Sequence, residues 1–280
     1  MSYKSIAVHL DTSKRAHPRL EVALRLARQF EADLTALFAV FVPEPQSMVV
    51  MAGSAEYYTI YEQDRERNAA AIERLFKAEV TRADVPGRWI ETGEYEERSV
   101  SRYGRCTDLI VLGQDDPGDP ESFIADHFVE SQIMSSGRPV LLIPYAGEYP
   151  LIGTRVMIAW DGSREATRAV HDALPFLKRA QDVTVVTVNE HTEHAGLFGD
   201  VPGADVAAML ARHGVKVGMT SVESGKGGTA GEVLLSRASD LSADLLVMGA
   251  YGHARWQELV LGGATRTMLT AATLPVLFSH

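Results

Sequence analysis

The sequence predicts an α/β protein built from two tandem domains, each doubly wound around a five-stranded parallel sheet. Three observations predict it. Short apolar runs alternate with amphipathic helical patterns, the series of elements repeats once along the chain, and no apolar run is long enough to span a bilayer. Ile6 to Asp11 opens the first copy as a β-like run closing on an aspartate, and Val156 to Asp161 opens the second, 150 residues later. A serine follows each aspartate, at Ser13 and Ser163, and then a helical face: Leu20, Ala23, Leu24 and Ala27 are answered by Val170, Ala173, Leu174 and Leu177. Second strands are expected at Leu34 to Val40 and Val183 to Val188. The run Thr107 to Gly113 pairs with Ala243 to Gly249, and Arg138 to Ile143 pairs with Leu274 to Phe278, both now 136 residues apart. The shift from 150 to 136 places about 14 extra residues in the first copy, and Pro43 to Glu62, rich in Met, Tyr and small residues, is the expected insertion.

Strands that alternate with helices require crossover connections, hence parallel sheets. The predicted domains are residues 1–146 and 151–280, joined by the turn-rich stretch Ala146-Gly-Glu-Tyr-Pro150. Two copies this similar are expected to pack as an internal pseudo-dimer, by analogy with two-fold homodimers. Whether such units pair again into a homodimer is left open.

Composition limits the function classes. The chain has 280 residues, 46% of them hydrophobic, and a net charge of −10, which argues against a general nucleic-acid surface or an anionic-membrane patch. Any phosphate site must be local. Cys106 is the single cysteine, so no intrachain disulfide can form, and a reducing compartment is expected. Just ahead of a strand, it reads as a buried structural thiol. The N-terminal apolar run is too short for a signal peptide, and a cytoplasmic protein is expected.

The chemistry-bearing pattern lies in the second copy. Gly249-Ala-Tyr-Gly252 follows the apolar run Asp244 to Met248, and nine residues later come Gly262-Gly263-Ala264-Thr265. A glycine at a strand end lets backbone approach a ligand closely, and a helix opening at Gly262 presents free N–H groups and a positive dipole end to an anion. The G-x2-G-x9-G spacing behind a strand resembles the ATP-binding motif of the universal stress protein family, and the resemblance covers essentially the whole chain. It implies an adenine nucleotide alpha hydrolase-like fold in each half, pairing of the halves through their last strands (Val140 to Ile143 and Val276 to Phe278), and ATP, AMP or ADP as ligand, with Mg as an accompanying ion. The implied binding residues are Asp161, Gly249, Gly252, Gly262, Gly263, Ala264 and Thr265. One departure is plain: the family has Ser or Thr directly after the third glycine, where this chain has Gly263.

The first copy has lost the pattern. Aligned without gaps, Gly252 corresponds to Asp116, Gly262 to Asp126, Gly263 to His127 and Thr265 to Val129. Its loop reads Gln114-Asp-Asp-Pro-Gly-Asp-Pro-Glu121, and four carboxylates there repel a polyphosphate. They lack the spacing of a calcium loop, so a solvated acidic turn is expected. Asp161, at the carboxyl edge of a sheet, suits hydrogen bonds to a nucleotide's adenosine portion or a helix cap; Asp11, facing the altered loop, is expected to cap. Ser163 reads as part of the cap. His253 and Arg255 could reach a phosphate or sit in water. Gly225-Lys226-Gly-Gly-Thr229 lacks Walker spacing, and His191 with His194 offers only two zinc ligands. No hydrolase motif occurs, and at most slow ATP hydrolysis is expected. The leading reading is a stress-response protein that binds one adenine nucleotide in its C-terminal domain as a regulatory ligand. The alternative is a stress protein acting through protein contacts or an apolar small molecule.

Overall fold

The computed structural model describes residues 2–40, 55–92, 96–188, 203–225, 228–252 and 263–280. The chain forms two compact units, residues 3–136 and 137–280. The first carries β1 (Ser5–Leu10), α1 (Ala16–Phe30), β2 (Asp33–Phe38), α2 (Ala55–Ala83), β3 (Gly87–Glu91), α3 (Glu96–Gly104), β4 (Leu109–Gly113) and α4 (Phe128–Ser135). The second begins with β5 (Val140–Ile143) and continues through β6 (Arg155–Ala159), α5 (Arg164–Asp172), the single turn α6 (Leu174–Leu177), β7 (Asp182–Val188), α7 (Ala204–Arg212), β8 (Val217–Val222), α8 (Ala230–Asp240), β9 (Leu245–Gly249), α9 (Gly263–Ala271) and β10 (Val276–Ser279).

Within the first unit the strands lie in the order β3-β2-β1-β4, all parallel. The second unit repeats that order as β8-β7-β6-β9 and extends it by β10, again parallel. The strand at the far side of β10 is β5, antiparallel, with Val276 opposite Leu142 and Phe278 opposite Val140. The equivalent last strands of the two sequence copies therefore pair, as the family resemblance implied. Covering β10 on both edges leaves Val276, Leu277 and Phe278 with no exposed surface.

Local rules explain the elements. β1, β4 and β9 are continuous apolar runs because crossover helices cover parallel strands on both faces. Leu20, Ala23, Leu24 and Ala27 of α1 are all buried, as their helical spacing requires. The two strands that the sequence pattern left unplaced, β3 and β8, are edge strands whose residues are mostly exposed or half-buried. Of the expected insertion, residues 43–54 lie outside the described residues; the rest opens α2, a 29-residue helix standing where the second unit has the nine-residue α7. Helix α2 is anchored by Ala69, Ile72 and Phe76, which pack with Phe38 and Trp89.

One anchoring device is used twice. Asp108, just before β4, accepts hydrogen bonds from the backbone N–H groups of Lys4 and Ser5 at 2.8 and 3.1 Å. Asp244, before β9, accepts from Gly153, Thr154 and Arg155 at 2.8, 2.9 and 3.1 Å. Each carboxylate satisfies the amides at the start of a neighbouring strand, β1 in the first unit and β6 in the second. Asp244→Ala should cost about 1–2 kcal/mol of stability, moderated because water can reach the freed amides; urea denaturation of the pure variant measures it. Cys106 is exposed, in the turn after α3, contrary to the expected burial, because that turn precedes the strand and faces solvent. The folded protein should therefore react with one equivalent of a thiol reagent without denaturant, scored by mass.

Candidate functional site

The candidate site forms where β6 and β9 end side by side. Ala159 is in register with Met248, so Asp161 and Gly249 to Gly252 emerge at the same carboxyl edge, where open α/β sheets place ligands. The turn after β6 is tight: Gly162 has φ +74, and Asp161 Oδ1 accepts the Ser163 N–H at 3.0 Å. Ser163 is the N-cap of α5, its hydroxyl accepting from the Ala166 N–H at 3.1 Å, so the cap falls on the serine and leaves Asp161 exposed at the edge.

The two nearer glycines serve different ends. A Cβ on Gly249 would stand 2.4 Å from the backbone nitrogen of Ala166 and 2.6 Å from the Glu165 carbonyl carbon. The close approach there is made by the first turn of α5, which rests on the strand end. A Cβ on Gly252 would fall 3.0 Å from Ser163 Oγ and 3.2 Å from Glu165 Oε2. Gly252 thus lies against the start of α5, beside a carboxylate that the sequence pattern did not single out. Glu165 is buried, its side chain 5% exposed, and ion-paired with Arg164, whose side chain is 84% exposed. The signal that could have found it is its place in the first turn after an Asp-Gly-Ser cap, where an acidic residue favours the helix dipole.

At the opposite side of the loop, Gly263 and Ala264 open α9. Gly263 lies within the helix and outside the positive-φ region, and no other described residue stands within 4 Å of where its Cβ would be. Thr265 is buried in the same first turn, 4% exposed. The leading N–H groups of a helix have no intrahelical acceptor, so Gly263, Ala264 and Thr265 present backbone donors there. Gly262, His253 and Arg255 lie outside the described residues, as do His191, His194 and Lys226. Thr229, from the same glycine-rich stretch as Lys226, is the N-cap of α8 in a reciprocal capping box with Glu232.

The equivalent place in the first unit is filled from within. Asp11 is 1% exposed and bound by Arg19, whose guanidinium Nη2 lies 2.7 Å from Oδ2. The Arg19 Nε donates to the His9 carbonyl at 2.7 Å, and Ser13 donates to Asp11 Oδ1 through its backbone N–H and its hydroxyl. A Cβ on Gly113 would stand 1.9 Å from Arg19 Nη1, so this side chain lies over the glycine that matches Gly249. Asp11 was expected to cap α1; it is instead the anion of a buried ion pair, and the residue at the N-cap, Arg15, makes no side-chain cap. The acidic loop is not simply solvated either. Asp119 is buried and accepts the Lys14 N–H at 2.9 Å, and Glu121 accepts from the Thr12 hydroxyl, which draws the loop over the end of β1. At the repeat offset of 150, Arg19 corresponds to Ala169, a side chain too short to fill such a space.

Among the described residues no group of three or more His, Cys, Asp or Glu side chains is arranged to hold a metal ion, and no helix is long and apolar enough to cross a membrane.

Comparison with known proteins agrees with this architecture. The model of the Universal stress protein family matches residues 154–280. Universal stress protein Slr1230 of Synechocystis sp. is 29% identical over 178 residues, which is 61% of this chain and 57% of that protein's length. A universal stress protein from Archaeoglobus fulgidus has a crystal structure similar over 98% of this chain and 97% of its own, with TM-score 0.71 and 16% identity. A protein of unknown function from Pseudomonas aeruginosa PAO1 shares the fold at TM-score 0.61 and 13% identity, over 99% of this chain and 92% of its own. Residues 154–280 thus match the universal stress protein family in sequence, and the chain shares the fold of a universal stress protein along nearly its whole length.

Proposed function

We propose that this protein binds one adenine nucleotide per chain, at the edge formed by β6, β9 and α9, and that the nucleotide is a regulatory ligand for a stress-response protein. The observation that carries the reading is the asymmetry of the two aspartates. Asp11 is buried under Arg19, while Asp161 is exposed at the sheet edge, and Ala169 stands where Arg19 would block it. In this reading Asp161 accepts from the adenosine portion. Backbone groups at Gly249, Gly252 and Gly262 to Thr265 hold phosphate, with Mg neutralising a polyphosphate when one is bound. No side chain is assigned to hydrolysis.

Calorimetric titration with ATP, ADP and AMP tests the proposal, and a stoichiometry of one is expected. Two equivalent sites, or no binding by any of the three, would overturn it. Gly252→Asp places in the second unit the residue that the first already has, and binding should be lost with the fold intact by circular dichroism. Gly249→Ala should behave differently: its methyl would press on the backbone of α5, so it should lower the melting temperature whether or not nucleotide is present. Because Gly263 has helical backbone and no described residue crowds its Cβ position, Gly263→Ser should tighten binding by about 1 kcal/mol, or several-fold, by adding a hydroxyl donor at the helix start.

A further inference from the structure

We propose that Glu165 limits the phosphate charge this site accepts, so that in the absence of divalent cations it selects adenosine monophosphate over the di- and triphosphate. The inference rests on the nucleotide reading above and names the ligand that reading leaves open. The two carboxylate oxygens of Glu165 face different ways. Oε1 is paired with Arg164, which extends into solvent, while Oε2 lies 3.2 Å from the position of a Cβ on Gly252. The carboxylate is therefore held against the glycine that would cradle phosphate.

Protein encloses this carboxylate: its side chain is 5% exposed, and the first turn of α5 that carries it rests on the strand end at Gly249. Solvent screens its charge weakly, and the exposed Arg164 offsets it only from the outer side. A single phosphate can be met by helix-start N–H donors. Each further phosphate adds negative charge beside the same fixed carboxylate, and the penalty grows along the chain unless a divalent cation accompanies it. The first unit differs here: at the repeat offset Arg15 stands in place of Glu165, and a different arginine, Arg19, closes that unit over Gly113.

Calorimetry on the full chain in excess EDTA, with AMP, ADP and ATP in turn, tests the inference. Wild type should bind AMP about tenfold more tightly than ATP, a gap set by one added repulsion at intermediate dielectric. Glu165→Gln should bring the two within about twofold, chiefly by tightening ATP, since only the charge is removed. Arg164→Gln, at a solvent-exposed position that should not disturb folding, should widen the gap by leaving Glu165 without its outer counter-charge. An unchanged AMP-to-ATP ratio in Glu165→Gln, or wild type favouring ATP in EDTA, would overturn the role of Glu165 while leaving the nucleotide reading intact. Absence of binding by all three nucleotides, in EDTA and in excess Mg, would overturn both.

Discussion

Replacing Arg19 by alanine should destabilise residues 3–136 by about 3–5 kcal/mol, the usual cost of leaving one member of a buried ion pair without its partner. Arg19 and Asp11 are 4% and 2% exposed in their side chains, and their contact is 2.7 Å. Removing the guanidinium also takes a donor from the His9 carbonyl and opens the space over Gly113. The double variant Arg19→Ala, Asp11→Ala should recover part of the loss, because the stranded charge goes with it. Urea denaturation of the four proteins of this cycle gives the coupling directly. A single-variant loss below about 1 kcal/mol would show that the pair is no more than a surface-grade salt bridge. The space so opened should not turn the first unit into a nucleotide site, since Asp119 and Glu121 still lie over the end of β1.

Arg19 also marks the boundary of what the sequence made legible. Fully covered strands announced themselves: β1, β4, β9 and β10 are apolar runs because parallel strands lose both faces to helices. The edge strands β3 and β8 did not, since Gly87-Arg-Trp-Ile-Glu91 and Val217-Gly-Met-Thr-Ser-Val222 keep much of their surface in water and carry no clear period. Arginine on an amphipathic helix reads as a solvent-facing residue, so nothing local signals that Arg19 turns inward to Asp11. Only the repeat alignment, with Arg19 opposite Ala169, contains the hint. Glu165 was hidden for the same reason, as an acidic first-turn residue that pattern reading assigns to the helix dipole. Gly249 was correctly placed at a strand end, yet its lack of a side chain accommodates α5, a tertiary contact that glycine spacing does not encode. The aspartates at 11 and 161 are alike in local sequence setting, and the ion pair that buries one of them comes from a residue eight positions on, Arg19, where the other has Ala169.

Acid should weaken the same unit well before its carboxylates protonate. His9 is fully buried, and its pKa falls to about 4, first because burial penalises the imidazolium and second because Arg19 repels it; Asp11 and the hydrogen bond to the Ala39 carbonyl pull only partly the other way. In the unfolded chain the same imidazole takes up a proton near pH 6.5. Between pH 6.5 and about 4 the unfolded state therefore binds a proton that the folded state refuses, and stability falls as pH falls through that window. The loss should reach about 3 kcal/mol at the lower end, since one bound proton is worth about 1.4 kcal/mol for each pH step across the window. Asp11 adds to it later. Burial alone would raise its pKa, but Arg19, His9 and the Ser13 hydroxyl outweigh burial and lower it, so its contribution is present above the usual aspartate range and disappears only as pH drops below. Native-state hydrogen exchange of the β1 amides from pH 7 to below the usual aspartate range, corrected for intrinsic rates, should show this decline. His9→Gln, which cannot titrate, should flatten it between pH 6.5 and 4 and leave the later fall due to Asp11. An equal decline in His9→Gln would assign the acid sensitivity to another group.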